Sequence, residues 1–328
     1  MVLGDKDEVL GFVAEWYDPR PQLKRKFLLK YYSATHDAEM TELSKQRCFL
    51  KRSKLPSTVV PSDFSIGSQV LIYGRELQII DYADPLTRTK LAPKSEQTSI
   101  WIAPERYAVC GTILSDCERN GYMVTKVKTI DNGAGVGLAV SLKGFGAISG
   151  TASLLSPYAG GVLCAESLLD VQTMESQYFG GTETTATLDS CTCVVIKPHA
   201  VKAKVSGDII STIMGQGYEI SAMQSFILER ASAAEFLEVY KGVVQDYQTH
   251  VDEFTTGIVI AMEVRAESAV STFRSSAGPW DVEMAKELYP KSIRGKHGVD
   301  NIRNAVHCTD LPEDGQSECE YFFDLLQN

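Results

Sequence analysis

The chain has 328 residues, a formal net charge of −10, and 44% hydrophobic and 23% charged residues. That is an ordinary globular composition, long enough for two or three domains, and its acidic balance argues against nucleic-acid binding over the whole surface. No apolar run reaches the roughly 18 residues that span a bilayer, and the opening Met1–Glu8 is polar and acidic, so neither a membrane span nor a secretory signal is expected. Eight cysteines are scattered without a CxxC pair, and the one close pair, Cys191 and Cys193, sits in an alternating, strand-like run. With five histidines and no zinc-type spacing, these are expected to be reduced thiols of a cytosolic protein, and no metal site is predicted.

The first unit reads as short strands separated by turn residues. Phe12 to Tyr17 is a strand that ends at Asp18-Pro19, followed by strands at Lys26 to Tyr32, Glu39 to Leu43 and Arg47 to Arg52. Val70 to Tyr73 and Glu76 to Tyr82 flank Gly74-Arg75, a two-residue hairpin signal. An antiparallel all-β module follows. It resembles the DM10 domain of ciliary and flagellar proteins, through Ala14-Glu15-Trp16-Tyr17-Asp18, Phe49-Leu50-Lys51-Arg52 and Ile79-Ile80-Asp81-Tyr82 in that order. From Arg20 to Lys54 there are ten Lys or Arg against three Asp or Glu. That excess suits either a negatively charged partner such as tubulin or a solvated face.

After the linker Leu91 to Gln97 comes an internal repeat. Each copy runs strand, Pro turn, Gly-led helix, Gly-Tyr, strand: residues 99–128 in the first, 194–226 in the second. Gly161 to Glu166 is aligned with Gly257 to Glu263. The first copy has a glycine cluster, Gly133 to Gly137, where the second has a helical run, Ala234 to Tyr240. No Lys-Ser/Thr follows these glycines, so they read as a loosened loop rather than a phosphate loop. Strands alternating with helices predict an α/β or α+β unit with helices on one face of a sheet.

Near the C-terminus, Asn304-Ala305-Val306-His307-Cys308-Thr309-Asp310 places an imidazole between an amide and a hydroxyl-carboxylate pair. Neutral imidazole is a nucleophile near pH 7, and Glu318 is a group that could orient it. A histidine hydrogen-bonded only for packing has the same local sequence.

The second copy resembles nucleoside diphosphate kinase from Thr192 to about Leu326, through Ile196-Lys197-Pro198-His199-Ala200-Val201, Ser292-Ile293-Arg294-Gly295 and Arg303-Asn304-Ala305-Val306-His307. With the DM10-like module ahead of two kinase-like repeats, the chain resembles the nucleoside diphosphate kinase homologue 7 family. The resemblance implies an α+β multidomain fold: a DM10 module at 1–93, a degenerate ferredoxin-like repeat at 98–190, and a second ferredoxin-like repeat with the histidine at 191–328. It implies His307 as phosphoryl acceptor, held by Glu318, with Lys197, Tyr240, Arg274, Arg294 and Asn304 on the nucleotide. Phosphoryl transfer needs cations around the moving group, and arginines supply forked bonds to its oxygens. Magnesium would arrive bridging the nucleotide phosphates.

The family also implies a place inside ciliary or flagellar doublet microtubules, in the cytoskeleton, among tubulin and other microtubule inner proteins. No nucleic-acid or membrane partner is expected. Against the family pattern, Gln245 to Thr249 lacks a phosphate-binding arginine, a loss of roughly 1.5–3 kcal/mol. Tyr247 is the aromatic face left in that stretch. Trp280 replaces a small threonine, His199 an aspartate and Cys308 a glycine. The first copy has no histidine, has Ala103 in place of the lysine, and is read as lacking the segment that would bear the nucleophile. Two functions remain: a structural axonemal protein, or a nucleoside diphosphate kinase working through the second repeat alone.

Overall fold

The computed structural model describes residues 8–18, 23–56, 59–60, 63–91 and 96–327, and the chain divides into two compact units between Glu96 and Gln97. Met1 to Asp7, Pro19 and Arg20, and most of the Leu91–Gln97 linker lie outside the described residues. Among the described residues no helix is long and apolar enough to cross a membrane.

The first unit is an antiparallel sheet of β1 (Val9–Asp18), β2 (Leu23–Tyr32), β3 (Asp37–Glu42), β4 (Arg47–Lys54), β5 (Gln69–Ile72) and β6 (Arg75–Tyr82), in the order β4-β3-β2-β1-β6-β5. Alternation along the strands puts Phe12, Ala14, Phe27, Leu29, Leu77 and Ile79 in one fully buried cluster. The hairpin turn lies one residue earlier than predicted. Ile72 pairs with Arg75, and Tyr73 and Gly74 form the turn, both at positive φ. Much of the basic excess is spent internally: Lys24, Arg25, Lys30 and Arg52 pair with Glu15, Asp18, Glu39 and Asp37.

The second unit joins both repeats in one eight-stranded sheet. The first repeat supplies β7 (Glu96–Ile102), β8 (Met123–Asp131), β9 (Val136–Gly144) and β10 (Val162–Cys164). The second supplies β11 (Cys191–Ile196), β12 (Glu219–Ile227), β13 (Ile258–Arg265) and β14 (Val306–Cys308). The order β10-β7-β9-β8-β12-β13-β11-β14 is two ferredoxin-like halves joined antiparallel at β8 and β12, where Gln224 faces Lys128. Thr129 Oγ1 accepts from Met223 N at 2.9 Å across this seam. Below it, helices Cys110–Arg119 and Ser206–Gly215 pack closely through glycines: a Cβ on Gly207 would stand 2.1 Å from Ser115 N. Glu118 accepts from the Ser206 and Gly207 amides at that helix start. Burial pushes its carboxyl up to about 7.

Four expectations need correction. Gly133 to Gly137 is not a loosened loop. It turns β8 directly into β9, with Gly133 and Gly135 at positive φ, and a Cβ on Gly137 would lie 2.4 Å from the Trp101 ring. The strand equivalent to β13 is therefore β9. Gly161 to Glu166 instead contains β10, which pairs with β7 as β14 pairs with β11. So the segment corresponding to the nucleophile is present in the first repeat: Trp101 faces Leu163 where Val195 faces His307. The bonds Ala103 N to Gly161 O and Lys197 N to Ala305 O fix the same register. Leu163 occupies the histidine's register position. Finally, helices cover both faces of the second repeat. Val194 and Ile196 enter one buried cluster, and Cys191, Cys193 and Val195 another beneath the C-terminal helix Gly315–Phe323.

Candidate active site around His307

His307 sits on β14, 2% exposed, between the rings of Phe236 (centroids 4.9 Å apart) and Tyr240 (6.0 Å). Its Nε2 lies 2.7 Å from Glu318 Oε2, and Thr309 Oγ1 donates to that same oxygen at 3.0 Å. The carboxylate is thereby fixed, and so is the ring, leaving Nδ1 as the nitrogen not committed to Glu318.

The turn ahead of β14 is held by a residue to which sequence reasoning gave no role. His199 Nε2 accepts from Ala305 N at 3.1 Å, and its Nδ1 lies 2.8 Å from Glu253 Oε1. Since Nε2 accepts, Nδ1 carries the proton. This pins Ala305 at φ 72, a conformation that L residues avoid. Beside it the Asn304 amide is fully buried, and neither its oxygen nor its nitrogen has a hydrogen-bond partner.

Lys197 follows β11 directly and precedes the helix Pro198–Lys202. It is 2% exposed and donates through Nζ to Ile302 O at 2.8 Å, 5.6 Å from the Phe254 and Trp280 rings. Burial, helped by Arg294, pushes its ammonium down to about 7. Tyr240 donates to Asp310 Oδ2 at 2.7 Å, and burial together with that bond holds its phenol well above the usual range. Asp310 also pairs with Arg274, which donates to the Asp310 carbonyl at 3.0 Å. One carboxylate thus clamps a tyrosine and an arginine that the resemblance assigned to nucleotide. Arg294 is buried and spends its fork on Gly278 O (2.8 Å) and Val306 O (3.2 Å).

Five of the seven predicted residues line one of two spaces, and Asn304 and Glu318 line neither. Lys197, Tyr240 and His307, with Tyr247, His250 and Trp280, line a cavity of about 10 Å³, room for about one water. Arg274 and Arg294 line an open groove of about 570 Å³ on the other side of Trp280, which borders both. The indole stands 5.3 Å from the His250 ring, 6.1 Å from Tyr240 and 5.5 Å from the Arg294 guanidinium. It fills the space that would connect the histidine to the arginines.

The family model for nucleoside diphosphate kinase matches residues 190–327, and that for the DM10 domain matches residues 2–87. The nucleoside diphosphate kinase of Aquifex aeolicus is 32% identical over 136 residues, 42% of this chain and 95% of that protein. A solved structure of that kinase covers 42% of this chain and 97% of its own, at 31% identity and a TM-score of 0.40. Two relatives match the chain almost end to end. Nucleoside diphosphate kinase homolog 7 of Rattus norvegicus is 33% identical and that of Mus musculus 31%, each covering 99% of this chain and 95% of the relative. With a DM10 module leading, a kinase-type repeat closing, and relatives that share the whole span, the chain belongs to the nucleoside diphosphate kinase homolog 7 family.

Proposed function

We propose that the chain is a structural protein of the cytoskeleton: a microtubule inner protein of ciliary or flagellar doublets, contacting tubulin and neighbouring inner proteins, with the kinase fold kept as scaffold. The observation that carries this reading is the closed pocket. A cavity of about 10 Å³ beside His307 does not admit a nucleotide's phosphates, and Arg274 and Arg294 already spend donors on Asp310, Gly278 and Val306. The first repeat adds support, since it keeps its strands while Leu163 stands where the nucleophile would be. Cryo-electron microscopy of axonemes from the cells that make the chain tests it. Density for the chain in the doublet lumen is expected, and its absence there would remove the reading.

A second reading rests on the 2.7 Å bond between His307 and Glu318 and on the unpartnered Asn304 amide, which a bound hydroxyl or phosphate oxygen would satisfy. In it, a γ-phosphoryl group leaves a magnesium-bound nucleoside triphosphate for His307 Nδ1 and then passes to a diphosphate, and Trp280 has to move first. A phosphoryl-transfer assay separates the two. The scaffold reading expects wild type and His307→Ala to show the same background, whereas a wild-type rate abolished by His307→Ala would establish the kinase.

A further inference from the structure

We propose that Cys191, Cys319 and Glu263 bind a thiophilic divalent cation of the zinc class, with Cys193 as the fourth ligand. The Cys191 and Cys319 sulfurs and a Glu263 carboxylate oxygen all lie within 4.8 Å of one another, and all three residues are buried. Zinc holds sulfur at about 2.3 Å in tetrahedral sites, which puts two sulfurs roughly 3.8 Å apart. Small side-chain shifts therefore close the set around one ion. Cys193 lies two residues along β11 on the same face as Cys191, in the same buried cluster, directly across the ladder from Glu263.

Charge supplies the second argument. Glu263 is fully buried and accepts from Thr187 N (2.8 Å), Leu188 N (2.6 Å) and Ser221 Oγ (2.6 Å). Among the described residues no lysine, arginine or histidine forms an ion pair with it. A carboxylate in the interior calls for a cation.

The first repeat shows the alternative solution. There Ser99, at the register position of Cys193, donates to Glu175 along with Ser141, and Lys126 pairs with that carboxylate at 2.6 Å. Lys126 faces Ser141 across its strands, whereas in the second repeat Ala222 faces Glu263. The second repeat thus carries its carboxylate on the strand, with Glu263 at the register position of Ser141, has the Cys193 thiol in place of the Ser99 hydroxyl, and has Ala222 in place of the ammonium. A thiol-preferring metal ion would neutralise the carboxylate, as Lys126 does in the first repeat.

On binding, the Cys191, Cys193 and Cys319 thiols each release a proton to solvent and their thiolates take the ion. Without it, the neighbouring Cys319 thiol and burial hold the Cys191 thiol well above its usual range. The ion would tie β11 and β13 to the helix Gly315–Phe323, whose Glu318 orients His307. It would also tie down the Thr187–Leu188 segment that leads into the second repeat.

The test uses the full chain, reduced and stripped with a chelator, then titrated with Co2+. A thiolate-to-cobalt charge-transfer band saturating at one equivalent is expected, lost when Zn2+ is added, and Zn2+ should raise the thermal midpoint. Cys191→Ser and Cys319→Ser should lose the band, Glu263→Gln should weaken Zn2+ retention, and Cys48→Ser, at an exposed position in the first unit, should leave all three readouts unchanged. Should the core variants fail to fold, the wild-type titration decides alone. No cobalt band, or a band that Cys48→Ser removes, overturns the proposal. So does a Cys191–Cys319 disulfide found by mass spectrometry in a chain whose reduced form takes up no Co2+.

Discussion

An indole is far larger than a threonine, and position 280 is where that difference is felt. Trp280 packs against Tyr240, His250, Lys197 and Arg294 at once. Trimming it should join the small cavity to the outer groove. Trp280→Thr is therefore expected to tighten binding of a magnesium-nucleoside triphosphate in calorimetry, and unchanged or weaker binding would show that the indole is not the obstruction. Lys197 offers a second test, through pH. Its ammonium is held near 7 by burial, against about 10.4 in an unfolded chain. Between those values the unfolded state binds more protons, so this residue makes the fold more stable as pH rises from about 7 to about 10. The wild-type urea midpoint should gain on that of Lys197→Met across this window, and parallel midpoints would contradict the buried ammonium. His307, Glu318 and Lys197 were visible as candidate chemistry in the sequence. The Asp310 clamp was not, because its two partners lie 36 and 70 residues away.

At the scale of elements, the repeat was legible because each copy follows the same order of strand, Pro turn and Gly-led helix. Its alignment failed where the copies differ in length. The first copy crosses from β8 to β9 in residues 132–135, whereas the second spends 228–257 between β12 and β13, and matching by local likeness then paired β10 with the wrong strand. Ladder register corrects this, since Leu163 faces Trp101 as His307 faces Val195. The two Gly-led helices also carry a requirement that no local pattern states. Gly207 lies against Ser115, with no room for a Cβ. Gly207→Ala should lose roughly 1–3 kcal/mol of stability in urea unfolding. Gly181→Ala, where a Cβ meets nothing within 4 Å, should stay within about 0.5 kcal/mol. Equal losses in the two variants would refute the close helix packing.

At the scale of the whole molecule, the second unit has one buried cluster drawn from both repeats, including Ile100, Ile113 and Val140 from the first and Ile196, Ile209 and Ile260 from the second. The histidine-free copy thus supplies part of the core, and its β8 covers the edge that β12 would otherwise expose. This gives the degenerate repeat a physical role that does not depend on catalysis. The first unit needs no such partner for its core, since its sheet buries its own aromatic cluster, with Phe64 stacked on Phe12 and Tyr31.

By itself, the order of residues determined the family, the strand-rich first unit, the repeat, and the histidine with its glutamate eleven positions on, because each is written in short motifs or local periodicity. Only the tertiary structure decided that the repeats share one sheet, that Leu163 stands in for the histidine, that Trp280 separates His307 from the arginines, and that the donors of Cys191, Cys319 and Glu263 gather behind β11. Those outcomes depend on ladder register and on the volumes of side chains distant in sequence, and neither quantity exists until the chain has folded.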